Sequence, residues 1–207
     1  MSASEPDIID LLAGVERNSR LDAIRAQRPE ARENAQRSYL ALFAPKFPGG
    51  VSIEERYALA AFVAGLHGDA TIHSFYREGL NKQNARPDLS AAVADEIARG
   101  SAKGPYGRYP PGPLSVEDKA GPIHRIAEAN RAKLGVRLSA AFEHAHLLVF
   151  HPRDASPPAL QALLNAGWST ADIVTLSQLV AFLSFQIRVT VGLRALAAAG
   201  AAATINS

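Results

Sequence analysis

One stretch limits the fold more than any other: "SIEERYALAAFVAGLHGD", Ser52 to Asp69. Ser52 followed by Glu55 is a capping-box pattern, in which each side chain satisfies a free N–H at a helix start. The residues from Ala58 to Leu66 are apolar nearly all the way round. A helix without a polar face has to sit in the middle of a core. The chain must therefore supply other helices to surround this one.

The rest of the sequence supplies them. Pro6–Gly14 reads as a short helix ended by glycine. "RPEARENAQRSYLALFAP" places Pro29 in a first turn, where proline is favoured, and stops before Pro45. The helix begun at Ser52 is expected to run on through "HGDATIHSFYREGL", with a kink at Gly65 or Gly68. Further helices are expected at Pro87–Gly100, "SVEDKAGPIHRIAEANRAKLG", "RLSAAFEHAHLLVF" and "PPALQALLNAG". In the last long segment Ile173, Leu176, Val180, Leu183 and Ile187 keep 3-4 spacing. Phe185 to Leu193 alternates as a strand would. No turn signal separates the two patterns, so helix is preferred, with an Ala-rich tail fraying after Gly200.

The fold class is therefore all-α. Residues 1–100 form one half, 101–114 a Gly/Pro-rich connection and 115–207 a second half. Ser52, Glu55, Leu59, Val63 and Leu66 match Ser169, Asp172, Leu176, Val180 and Leu183, as two related halves would; the rival is two core helices of one bundle. "KGPYGRYPPGP" reads as a solvated connection; the rival is a loop whose Tyr106, Arg108 and Tyr109 close over a pocket.

Composition narrows the function. There is no cysteine in 207 residues, so disulfides, thiolate metal sites and thiol redox chemistry are excluded. A net charge of +2 without a dense Lys/Arg run gives no nucleic-acid footprint. The acidic start, "MSASEPDIID", is unlike a signal peptide, and no stretch is expected to approach the roughly 18 apolar residues needed to span a bilayer. A cytoplasmic protein that does not engage membranes is the expectation.

"AFEHAHLLVFHPRDASPPALQALLNAGWSTADIVTLSQLVAFLSFQIRVTVGL" resembles the C-terminal part of alkylhydroperoxidase AhpD-like proteins, within the carboxymuconolactone decarboxylase superfamily. The likeness rests on Gly167-Trp168, the run Gln178 to Phe182, Arg188-Val189 and Gly192-Leu193. It implies an AhpD-like helical bundle and a homo-oligomer. The family's peroxidatic residues are a glutamate, a Cys-x-x-Cys pair and a histidine. Here those positions hold Tyr57, Asp69, Ile72 and Tyr76. Without a thiolate no peroxide reduction of that kind is possible. The resemblance then implies a non-redox enzyme of decarboxylase type, acting on a small carbonyl or carboxylate compound. The alternative is a catalytically silent partner of another enzyme.

On a continuous helix Asp69, His73 and Tyr76 share one face at i, i+4 and i+7. Asp69 would hold His73, His73 would act as general base, and Tyr76 would donate to an oxyanion; the rival, which the residues favour, is that Asp69, Thr71 and His73 are polar residues beside a glycine kink, hydrogen-bonded to backbone or to a neighbouring subunit. His67, Tyr57 and Trp168 are expected to meet the substrate, and Trp168 also to anchor a helix end. His144 and His146, two apart on a helix, point to different faces, so no metal site is expected there and no cofactor anywhere. His124 is expected at the surface. Arg188, inside an apolar helix, needs ion-pair partners, with Glu55 or Asp172 as candidates.

Overall fold

The computed structural model describes residues 6–83 and 86–205, and the side chains of these as far as residue 200. The protein is all-α, 73% helical, with nine α-helices and no strand among the described residues. They are α1 (Ile8–Ala13), α2 (Arg20–Ala26), α3 (Pro29–Phe43), α4 (Ile53–His67), α5 (Ala70–Lys82), α6 (Pro87–Gly100), α7 (Glu128–Phe150), α8 (Pro157–Asn165) and α9 (Thr170–Ile205). The chain gathers into two compact units. One takes in Phe47–Ser184, and the other the described residues within Met1–Lys46 and Phe185–Ser207. The expected connection 101–114 lies inside the larger unit.

At the centre of the larger unit is α4. Every residue from Ala58 to Ala64 is fully buried, as an all-round apolar helix requires. It packs against α5, α6 and α7. Phe62 stacks on Phe142 of α7 with ring centroids 4.3 Å apart. The expected run-through at Gly68 does not occur. Gly68 takes the left-handed conformation (φ 75°) and ends α4, and Asp69 caps a new helix by accepting from Ile72 N–H. Gly135 (φ 76°) likewise interrupts α7.

The smaller unit rests on a polar cluster. Arg25 bridges Asp7 and Asp10, and Arg32 bridges Asp10 and Asp22. Arg194 Nε donates to Leu12 O at 3.1 Å, closing the carbonyl end of α1. The sequence reading had no helix at Arg20–Ala26, which is short and capped by Ser19.

Two expectations need correcting. Residues 118–127, expected as helix, are irregular, and regular α7 begins only at Glu128. Pro122 explains part of this, since it has no N–H to give a helix. In addition, α9 is apolar enough on average, and long enough at Thr170–Gly200, to cross a bilayer by length and composition alone. Counting uninterrupted apolar residues missed it because Ser, Thr and Gln are scattered through it. The strand rival for 185–193 is absent, and the helix runs past Gly200 to Ile205.

Candidate functional site

Two polar clusters are built into the larger unit. The first joins two helix starts. Ser52 and Glu55 form the capping box of α4, and Ser169 and Asp172 form the same arrangement at the start of α9. Arg137 of α7 reaches both. Its Nε donates to Glu55 at 2.7 Å, and its other nitrogens donate to Asp172, to Gly50 O at 2.8 Å and to Gly167 O at 2.7 Å. Its guanidinium lies 4.1 Å over the Trp168 ring, whose Nε1 donates to Arg137 O. Arg137, not the exposed Arg188, is therefore the arginine that pairs with Glu55 and Asp172. Trp168 is an anchor, as expected, and is almost wholly buried.

The second cluster is made of histidines. A cavity of about 460 Å³ opens between α7, α8 and the irregular strap before α7. Ala140, Glu143, His144 and Leu147 line it from one face of α7, at i, i+3, i+4 and i+7. His146 lines it too, despite lying two residues from His144. His124 and Arg125 come from the strap, His151 and Asp154 from the turn after α7, and Pro158, Ala159 and Ala162 from α8. The polar wall thus faces a wall of small apolar groups.

Behind the polar wall lies Glu96 of α6, fully buried. Its Oε1 accepts from Ala127 N–H at 3.0 Å and from Asn130 Nδ2 at 2.7 Å. Its Oε2 approaches His124 Nε2 to 3.0 Å, out of line for a straight hydrogen bond. Burial lowers the His124 pKa, although the Glu96 and Glu143 carboxylates pull the other way. A neutral ring with Nε2–H toward Glu96 leaves Nδ1 as the basic nitrogen. The expectation of a surface His124 is overturned: its ring stacks on His146 at 4.9 Å.

His146 Nε2 donates to Gly100 O at 3.0 Å, and burial, with His124 beside it, pushes its pKa down to about 4. A Cβ at Gly100 would meet Leu66 at 3.2 Å and both His124 and His146 at 3.3 Å, so the glycine lets the stack lie close against the end of α6. Burial alone lowers the pKa of His144, and its Nδ1 has no hydrogen-bond partner. His151 faces Asp154 through Nδ1 and Pro122 O through Nε2, both at 3.0 Å. Among the described residues no three His, Asp or Glu side chains converge as a metal site would.

The Gly/Pro connection, residues 101–114, is mostly exposed, as a solvated connection would be, and it is tied down at a few points. Tyr106 N–H donates to Phe150 O at 2.6 Å, and Gly107 and Lys119 exchange two backbone hydrogen bonds. The Tyr106 ring lies 5.1 Å from His151, and Arg153 covers Tyr109 at 3.9 Å. The strap thereby holds His151 and, further along, presents Ile123, His124 and Arg125 to the cavity.

The residues singled out from the sequence lie elsewhere. Asp69 is the cap of α5, His73 is half-buried on its first turns and Tyr76 is wholly buried. Burial, then the charge of Arg77, lowers the His73 pKa. His67 Nε2 sits 3.3 Å from Ser184 Oγ, and Tyr57 is half-buried against Gly79. None of these, nor Trp168, lines the histidine cavity. Glu96 was missed altogether, because its role depends on a strap folded back over α6. The stripe 140, 143, 144, 147 was the one local signal that could have found the cavity.

No known family model, curated protein or solved structure matches this chain.

Proposed function

We propose that the protein is a non-redox acid–base enzyme acting on a small carbonyl or carboxylate compound, with the histidine cavity as its working site. The observation that carries this reading is the buried Glu96 carboxylate 3.0 Å from His124, a residue of the cavity wall. A carboxylate behind an imidazole stabilises the cation formed when it takes a proton. His124 Nδ1 removes a proton from a carbon next to a carbonyl. The electron pair moves to the carbonyl oxygen as an enolate, and the proton later returns to carbon. N–H groups of Arg125 and His144 are the donors available on the wall for the developing oxyanion. The cavity is of a size that suits a small ligand.

The test is exchange of carbon-bound protons of small keto acids and lactones in D2O, followed by NMR. Wild type and His73→Gln should both exchange, and His124→Gln should lose about two orders of magnitude. Loss in His73→Gln with retention in His124→Gln would return the chemistry to the α4–α5 junction.

A second reading, a homo-oligomeric or assembly partner, is favoured by a different observation. Val116 and Ile123 on the strap are 89% and 75% exposed. Light scattering that gives a 22.0 kDa particle would count against the homo-oligomer.

A further inference from the structure

The wall of the cavity is not evenly matched in its polar groups. Its two carboxylates already have partners. Glu143 takes Arg125, Arg131 and the Ile126 N–H, and Asp154 takes His151 and the Arg108 N–H. Their charge is already partly matched. The groups that remain are donors and bases. Arg125 is 71% exposed and gives Glu143 a single nitrogen. The His144 ring is buried, with Nδ1 unpartnered. Across from them Pro158, Ala159 and Ala162 offer only apolar surface.

We infer that the cavity takes a small monocarboxylate with an apolar body, and that His144 takes up a proton as the carboxylate binds. This rests on the reading that the cavity is the working site. An anion placed between Arg125 and His144 supplies the counter-charge whose absence keeps His144 neutral. The charged and titratable groups around His144 are Glu143 and His146 on α7, His124 and Arg125 on the strap, and His151 and Asp154 after α7; the cavity-lining residues of α8 carry none. His146 is the poorer proton acceptor, because His124 and His151 both oppose a charge on it. His124 already has the Glu96 carboxylate. The apolar body of the ligand lies on Ala159, Ala162 and Leu147.

Calorimetric titration tests this with benzoate and phenylacetate against the neutral isostere benzamide, at pH 6 to 8 and in phosphate and Tris. The carboxylates should bind with uptake of about one proton, and Kd should rise toward tenfold per pH unit. Benzamide should bind more weakly and without pH dependence. His144→Gln, checked for an unchanged thermal midpoint, should keep weak binding and lose the proton uptake. Ala159→Leu, which fills the cavity from the apolar side, should abolish binding of every probe. Equal affinity for benzamide, or a pH-independent Kd for the carboxylates, overturns the ligand class. If such binding is still lost in Ala159→Leu, the cavity remains the working site. No probe binding, with the His144 and His146 ring resonances unmoved, overturns both the class and the site. Zinc binding to the cavity that carboxylates then require overturns the class as well.

Discussion

The Arg137 clamp and the histidine cavity are both polar, both partly or wholly buried, and both built around α7. They differ in how fully their groups are matched. Arg137 finds two carboxylates, two carbonyls and an aromatic face. In the cavity His144 Nδ1 has no partner, and the Glu96–His124 contact is poorly aligned. A buried polar group with every partner present holds a fold together. One without its partners costs stability, and is kept where a ligand or a reaction completes it.

The difference can be broken by mutation. Arg137→Ala strands Glu55 and Asp172 and removes the cover of Trp168. It should cost about 3 kcal/mol, read from chemical denaturation. A cost under about 0.5 kcal/mol would make the clamp a surface ornament. Acid sharpens the contrast. His146 has its folded pKa at about 4, below the 6.5 expected of the unfolded chain. The unfolded state therefore binds the proton first. The stability this ring contributes is present above pH 6.5 and is lost as pH falls toward about 4. The loss should approach about 3 kcal/mol, with His124, His144 and His73 adding in the same direction. His146→Gln, which keeps a donor for Gly100 O, should flatten the slope.

Smaller effects separate the clusters further. Gly50→Ala would drive a Cβ into the Asp172 carboxylate and should cost about 1–2 kcal/mol. Trp168→Phe removes the Nε1 hydrogen bond and weakens the cation–π contact, for about 1 kcal/mol. The smallest change belongs to His144→Leu. Replacing a ring with an unpartnered nitrogen by an apolar group should alter stability by less than about 0.5 kcal/mol, or raise it. A cost above 2 kcal/mol there would mean His144 has a structural partner, and the contrast would fail.

How far the sequence foretold these two regions follows from the range of the interactions. The helix starts were legible because a capping box closes within four residues. Ser52–Glu55 and Ser169–Asp172 close their helix starts in the same way, and both meet Arg137. The all-round burial of Ala58–Ala64 was legible for the same local reason. The break at Gly68 was misjudged as a kink, since glycine alone does not tell a bend from a left-handed cap; Asp69 next to it was the cue. The cavity was hardest. Glu96 and His124 are 28 residues apart, and only the return of the irregular strap over α6 joins them. Proline and glycine mark such a strap as irregular without saying where it goes. Arg188 was singled out because its apolar neighbours suggested burial, whereas α9 turns that position outward, and nothing local marked Arg137.

The central claim is that the cavity holds neutral imidazoles that await a partner. Carbon-13-labelled histidine followed by NMR from pH 8 to pH 3 tests it directly, because all six rings can be assigned by single substitutions. The account predicts that His146 titrates last, near 4, and that His124 and His144 also titrate below 6.5. Added benzoate should move His144 upward. Titration of all three near 6.5, unmoved by any carboxylate, would show open, solvated rings and contradict the account.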